Sequence, residues 1–338
     1  MEMRYLSQIN TEIIKNKTCL LRVNLDIKDP NRESLRIEAV MPTVKYLLKN
    51  NVKIIILSHR GRPNGIDSSL SLKPLVDMLS KKVGQQLEWL ENLRFDKREQ
   101  ENSDEFAKEL AGKGDFFVNH DFATSHRSCA SLVAITKFLP SYGGLLLESE
   151  VENLSKIIQN PKKPLIVIIG GSKIDDKINL IDNLKNKTDY FLMGSAYLKL
   201  PRTKDQGPSN DPASPSLGGQ LPNNVLFPVD NNQGFDIGDK TIEQYSQIIK
   251  TAETIVWNGP LGKFEESSYA NGSIQIAKAI IAANHNGAFS IVGGGDTEQF
   301  LSANNLKDDI GFISTGGGAM LEFLSGKKLP ALEALKNQ

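Results

Sequence analysis

The feature that most constrains this chain is an alternation of short, near-continuous apolar runs with longer segments of helical periodicity, repeated along almost its whole length. TCLLRV (Thr18 to Val23), KIIILS (Lys53 to Ser58), the stretch from Asp115 to Val118 and a run near Gly144 to Leu147 read as strands buried on both faces. Between them, Val40, Val44, Leu47 and Leu48 share one helical face, and helices are expected from about Leu72 to Val83 and Ser103 to Leu110. Strands joined by helix-length crossovers make a parallel sheet covered on both faces.

After Glu148 to Gln159, which reads as a helix, and the proline-flanked lysines of NPKKP, the alternation starts again. LIVIIGG (Leu165 to Gly171), YFLMG (Tyr190 to Gly194), VLFPVD (Val225 to Asp230), TIVWNGP (Thr254 to Pro260) and FSIVGGGD (Phe289 to Asp296) supply further strand ends. Ile174, Ile178 and Ile181 share a helical face, helices are expected over Thr241 to Lys250 and Tyr269 to Ile281, and Thr241 with Gln244 has capping-box spacing. A length of 338 residues exceeds what one core usually organises, so two α/β domains are expected, with the boundary near 148–163. Pro201 to Asn223, rich in Pro, Gly and Ser, breaks the pattern and reads as an exposed, mobile loop.

Lys plus Arg and Asp plus Glu number 40 each, so no global field draws the chain to nucleic acid or an anionic membrane. No run of apolar residues is long enough for a membrane span and the first residues do not read as a signal peptide. Cys19 and Cys129 form no CxxC and read as small buried hydrophobes of a cytoplasmic protein. His59, His120 and His126 match no standard zinc spacing.

Glycines collect where second-half strands end: Gly170 and Gly171, Gly293 to Gly295, and Gly316 to Gly318. Such clusters let backbone amides approach phosphates, although none matches GxGxxG or GxxxxGK[ST]. Lys173 and Lys177, four apart, read either as a pair reaching one anion or as solvated lysines. Asp296 reads as a magnesium ligand or as a helix-capping aspartate. In the first half, His59, Arg60 and Arg62, His126 and Arg127, and Arg22 with Arg36 place cations past strand ends, a pattern suited to a small anionic carboxylate or phosphate.

RVNLDI (Arg22 to Ile27), SLRIEAVMPTVKYLL (Ser34 to Leu48), SHRGRP (Ser58 to Pro63), ENLRF (Glu91 to Phe95), FVNHDFATSHR (Phe117 to Arg127), IGGSKIDDKI (Ile169 to Ile178), WNGPLGKFE (Trp257 to Glu265), GGGDT (Gly293 to Thr297) and STGGGAMLEFLSGKKLPAL (Ser314 to Leu332) resemble, in order, the motifs of phosphoglycerate kinases. The resemblance implies an α/β chain of two Rossmann-like α/β/α domains with mostly parallel sheets, joined by a connecting helix and hinge. It implies a phosphoglycerate-binding domain over 1–150, a nucleotide-binding domain over 151–328, and a segment 329–338 packing back toward the first domain. The implied reaction exchanges a phosphoryl group between 1,3-bisphosphoglycerate and ADP, with Mg2+ and ATP/ADP on the nucleotide side and no partner beyond these small molecules, in a monomer.

By the same resemblance, Asn24, Asp26, Arg36, His59, Arg62, Arg127 and Lys163 fall at substrate-side positions. Arg36, Lys173, Lys177, Gly295 and Gly318 fall at catalytic ones. Gly171, Gly194, Asn258, Glu265, Gly294, Asp296, Thr297, Gly316 and Gly317 fall, with both lysines and Gly295, at nucleotide-side positions; Glu265 matches a ribose-binding acid and Asp296 the metal ligand. Departures concentrate in the substrate shell: RVDFN becomes RVNLD, VNDAFG becomes VNHDFA, HRAHAS becomes HRSCAS, and an arginine becomes Lys163. GGGM reads Gly194, Ser195, Ala196, Tyr197, and a segment before ENLRF is missing. Another carboxylate kinase, or a binding protein on the same fold, are the competing readings.

Overall fold

The computed structural model describes residues 3–27, 34–171, 175–199 and 221–336; Lys173, Ile174 and most of the proline-rich segment lie outside them. The chain divides into two compact units, Met1–Glu152 with Lys328–Gln338, and Asn153–Lys327.

The first unit runs β1 (Thr18–Arg22), α1 (Ser34–Lys49), β2 (Lys53–Leu57), α2 (Lys73–Val83), β3 (Glu88–Trp89), α3 (Asp104–Ala111), β4 (Phe116–Asn119), β5 (Ser141–Gly143) and α4 (Leu145–Gln159), within which the division falls. Its sheet has the order β3-β2-β1-β4-β5, every pair parallel. The alternation along each strand fills two layers. Cys19, Leu21, Ile54, Ile56, Phe116 and Val118 join Val40, Val44 and Leu47 of α1 and Leu75, Val76 and Leu79 of α2. Leu20, Ile55, Leu57 and Phe117 join Phe106, Ala107 and Leu110 of α3 on the other face.

The second unit continues with β6 (Leu165–Ile169), α5 (Asp175–Leu184), β7 (Tyr190–Met193), β8 (Val225–Leu226), a hairpin of β9 (Asn231–Asn232) and β10 (Asp236–Ile237), and α6 (Asp239–Ile249). Then follow β11 (Thr254–Asn258), α7 (Asn271–His285), β12 (Phe289–Gly293), α8 (Gly295–Ala303), β13 (Phe312–Ser314) and α9 (Gly317–Leu324). The parallel sheet order β13-β12-β11-β6-β7-β8 places the unit's first strand, β6, at the centre with its connections diverging to either side. One layer of core joins Ile166, Ile168, Ile255 and Trp257 to Tyr245 and Ile249 of α6, Ile276 and Ile280 of α7, and Phe300 of α8. The last helix, α10 (Pro330–Lys336), belongs to the first unit: Ala331 N–H donates to Ser125 C=O at 3.1 Å, and Ala331 packs with Cys129 and Leu132.

Three sequence expectations are corrected. Gly144 to Leu147 is not a strand; β5 ends at Gly143 and α4 begins at Leu145, because Glu148 N–H already bonds Gly144 C=O at 3.0 Å and Leu147, Glu150, Leu154 and Ile157 are buried at helical spacing. VLFPVD supplies only two strand residues, since Pro228 has no N–H to continue a ladder. Thr241 makes no capping box: α6 starts from Gly238, and the Asp230 carboxylate accepts from Lys240 N–H at 3.0 Å, from Thr241 N–H at 2.8 Å and from the Thr241 hydroxyl at 2.6 Å.

Candidate functional site

In doubly wound sheets, neighbouring strands whose connections diverge leave a crevice at their carboxyl ends. In the first unit that point lies between β1 and β4, where Arg22 pairs in register with Asn119. Arg22 is 1% exposed and fully engaged: NH1 meets Asp121 Oδ2 at 2.9 Å, Nε donates to Ser131 Oγ at 3.0 Å, and NH2 donates to His59 Nδ1 at 2.7 Å. Because arginine only donates, Nδ1 must accept, which leaves the His59 proton on Nε2, 3.7 Å from Asp26 Oδ2. Arg22 is thus a strut for the crevice rather than one of its free cations.

Around His59 the expected substrate-side residues converge. Asp26 accepts Gly61 N–H at 2.7 Å, its own N–H donates to Asn24 Oδ1 at 3.0 Å, and Arg36, in the first turn of α1, donates to Asp26 C=O at 2.5 Å. Arg62 is exposed, and Arg127 donates to His126 Nε2 at 3.4 Å. Arg94, from ENLRF, was not singled out by sequence; it is 4% exposed and donates to Gly61 C=O at 2.6 Å. Among the described residues neither Arg94 nor Arg127 has a carboxylate within ion-pair distance. Burial, and next the Arg127 charge, lower the Arg94 pKa; burial, then Arg22, Arg94, Arg127 and Arg36, hold the His59 imidazole well below its usual value. Arg94 and Arg127, with no carboxylate within ion-pair distance among the described residues, stand beside a neutral imidazole, a charge pattern that suits a small polyanion.

Two buried histidines give this unit a pH signature. His120 is pushed down to about 4, chiefly by burial, and His59 is lowered for the same leading reason. Between pH 6.5 and about 4 the unfolded chain protonates His120 and the folded chain does not, so this contribution to stability is full above 6.5 and falls on acidification, and the lowered His59 acts in the same direction. His120 alone accounts for about 3 kcal/mol across that window. Urea unfolding at a series of pH values, read by Trp89 fluorescence in a Trp257→Phe background, should show this loss. A flat profile from pH 6.5 to 4 would contradict it.

In the second unit the connections diverge between β6 and β11, whose ends are glycine-rich and tied together. Gly170 N–H bonds Asn258 C=O at 2.9 Å and Gly171 N–H bonds Pro260 C=O at 2.7 Å. Lys177, 5% exposed, turns inward beneath this turn and donates to Gly170 C=O and, at 3.5 Å, to Asn258 C=O. The Asn258 amide donates to Gly293 C=O at 3.0 Å, and Thr297 Oγ1 accepts Gly259 N–H at 2.9 Å, so both side chains brace neighbouring strand ends. Gly294 (φ 105°) and Gly316 cap α8 and α9 without side-chain acceptors. The space beside Gly295 and Gly318 is open, while Gly317 lies close against Gly294. First-turn amides at both helices are therefore left for an anionic ligand.

A cavity of about 410 Å³ opens beside this cluster. Gly171, Glu265 and Asp296 line it, together with Ser195, Ala196, Phe235, Leu261 and Phe264. Gly194 adjoins its wall through Ser195, whose N–H bonds Leu261 C=O at 3.0 Å. Sequence reading missed the aromatic wall: Phe235 follows the tight turn at Gln233 (φ 53°) and Gly234 (φ 78°), stays 49% exposed, and sits 5.1 Å from the Tyr269 ring. Among the described residues no three His, Cys, Asp or Glu side chains form a metal-ligand group. Asp296, an exposed carboxylate in the first turn of α8, fits a magnesium ion that draws its other ligands from phosphate and water.

Lys163 is the substrate-side residue that the structure does not bring to a strand's carboxyl end. It precedes β6 in the second unit and is ion-paired to Asp189 at 3.4 Å, with the length of β6, about 16 Å, between it and Gly170.

A profile of the family described as phosphoglycerate kinase matches residues 9–90, 85–200 and 220–327. The phosphoglycerate kinase of Finegoldia magna is 34% identical over 401 aligned positions covering 99% of each chain. That of Dictyoglomus turgidum is 35% identical over 399 positions covering 100% of each. The structure of phosphoglycerate kinase from Coxiella burnetii superposes with a TM-score of 0.82 at 32% identity, covering 99% of each chain. The enzyme from Pyrococcus horikoshii OT3 gives 0.81 at 28%, covering 99% of this chain and 98% of that one. Two of the matched stretches overlap at 85–90, beside the missing segment before ENLRF, and the profile skips 201–219 within the proline-rich stretch.

Proposed function

Since this chain belongs to the phosphoglycerate kinase family, we propose that it moves a phosphoryl group reversibly between 1,3-bisphosphoglycerate and ADP, giving 3-phosphoglycerate and ATP, in glycolysis and gluconeogenesis. The observation that carries this reading is that family-matched residues occupy the divergence crevice of each sheet: arginines and a neutral histidine in the first, glycines, Glu265 and Asp296 in the second. We assign phosphoglycerate to the first unit and the nucleotide to the second.

The acceptor carboxylate is ionised at neutral pH, so no general base is required and the protein's work is placement and charge stabilisation. Arg94, Arg127, Arg62 and His59 hold the phosphoglycerate, with Asn24 and Asp26 shaping the floor. Arg36 acts on the equatorial oxygens of the transferring group. The α8 and α9 amides and Lys177, with Lys173 by family position, meet the nucleotide phosphates. Asp296 would hold magnesium, which neutralises phosphate charge when bound. Phe235 and Leu261 suit a flat base, and Glu265 suits ribose hydroxyls. With positive and negative charges balanced over the sequence and, among the described residues, no helix long and apolar enough to cross a membrane, the reading is of a cytoplasmic monomer acting on small molecules.

Replacing Glu265 by Ala should raise the nucleotide KM about tenfold with little change in turnover, because a ribose contact is made equally in ground and transition states. Steady-state kinetics with Mg-ATP titrated at saturating 3-phosphoglycerate measures it; an unchanged KM removes Glu265 from the site. The reading as a whole is tested by a panel of carboxylates offered with Mg-ATP. 3-Phosphoglycerate should give the highest kcat/KM, and a better substrate among the others would replace the assignment.

A further inference from the structure

Position 120 is one of the departures noted in the sequence, and the reading above gives it no role. His120 is 1% exposed at the end of β4, with Nε2 3.0 Å from Ala39 C=O and Nδ1 3.0 Å from Thr43 Oγ1. The directions of these bonds follow from chemistry alone. A carbonyl only accepts, so Nε2 carries the proton; Nδ1 then accepts the Thr43 hydroxyl proton, and Thr43 Oγ1 accepts Leu145 N–H at 3.2 Å. Three elements are joined by one saturated chain: α1 at Ala39 and Thr43, the end of β4 at His120, and the first residue of α4. Arg36 stands on α1 one turn before Ala39 and two turns before Thr43, on the same side of the helix. The adjacent Asp121 carboxylate holds Arg22, accepts the Thr124 hydroxyl at 2.5 Å and lies 3.4 Å from the Asn24 amide. The dipeptide His120–Asp121 therefore references α1 and the crevice floor to the same strand end.

We infer that His120 and Thr43 are positioning residues for Arg36: their hydrogen bond sets the placement of α1 against β4 and so the point at which Arg36 presents its guanidinium. The inference rests on the proposed kinase reading, and Thr43 itself touches no proposed substrate. Positioning through another group has a signature that stability does not share. Thr43→Val should lower kcat about tenfold with the Mg-ATP KM unchanged, and Thr43→Ser, which keeps the hydroxyl, should restore it. In an Arg36→Ala background the Thr43→Val change should have no further effect on kcat, since the group being positioned is gone.

A tenfold loss that persists in the Arg36→Ala background, or a wild-type kcat in folded Thr43→Val, would overturn the inference. An activity-independent measurement accompanies the kinetics: amide hydrogen exchange over residues 36–43 should quicken in Thr43→Val and recover in Thr43→Ser. Unchanged exchange there overturns the inference even if the chain proves not to be a kinase, whereas absent wild-type turnover with altered exchange counts against the kinase reading alone.

Discussion

Replacing Arg36 by Ala is expected to lower the turnover number about a hundredfold while leaving the nucleotide KM near its wild-type value. Arg36 lies in the first turn of α1, at the edge of a crevice already crowded by Arg94, Arg127 and the neutral His59. Ground-state binding of a doubly charged substrate has several cations to draw on, so one loss is partly covered. Charge that shifts during transfer is met by the group placed for it, and removal of one such donor costs about 3 kcal/mol of transition-state stabilisation. Separate titrations of 3-phosphoglycerate and Mg-ATP, on protein with wild-type melting behaviour, distinguish these effects. A turnover number within twofold of wild type would take Arg36 out of the catalytic set.

Replacing Gly170 by Ala is expected to have the largest effect on the second unit, about 3 kcal/mol of stability together with most of its nucleotide affinity. A methyl group there overlaps the carbonyl oxygens of Gly259 and Pro260, which are backbone atoms. Neither can move independently. Gly170 and Gly171 are bonded to Asn258 and Pro260, Gly259 sits at φ 89°, and its N–H is held by Thr297. Relief requires the β6 and β11 ends to part, which breaks those bonds and shifts Lys177 beneath them; overpacking of this kind costs 1–3 kcal/mol and sometimes more. Urea unfolding followed by Trp257 fluorescence in a Trp89→Phe background, with calorimetric titration of Mg-ADP, tests both parts. An unchanged midpoint and affinity would show that the two turns are not mutually constrained.

Much of the fold was legible because parallel strands buried on both faces must be apolar at nearly every position, as Cys19 to Leu21 and Leu165 to Ile169 are. Glycines at strand ends were legible for a similar reason, since close approach of turns excludes side chains. Short apolar runs beside a turn were not: three leucines at 145–147 satisfy strand and helix alike, and the choice falls to burial at 147, 150, 154 and 157. At the site, residue type was readable but engagement was not. Arg22 and Arg94 are both buried arginines, yet one is locked to Asp121 and the other has no carboxylate within ion-pair distance among the described residues. That difference depends on sheet order, which brings Asp121 to Arg22 across 99 residues of sequence. Lys163 stands before β6 and pairs with Asp189, an engagement its place in the sequence does not reveal. Asn258 and Thr297 read as ligand contacts, and in the structure their side chains brace backbone carbonyl and amide groups of adjoining strand ends.

The proposed activity is tested most directly by a coupled assay of the wild-type chain, with 3-phosphoglycerate and Mg-ATP each titrated against a saturating concentration of the other. The account predicts saturable turnover that depends on both substrates and on magnesium, and that falls about a hundredfold in the Arg36→Ala protein. A rate at background for the folded wild-type chain, across enzyme concentrations that bind Mg-ADP normally, would contradict it.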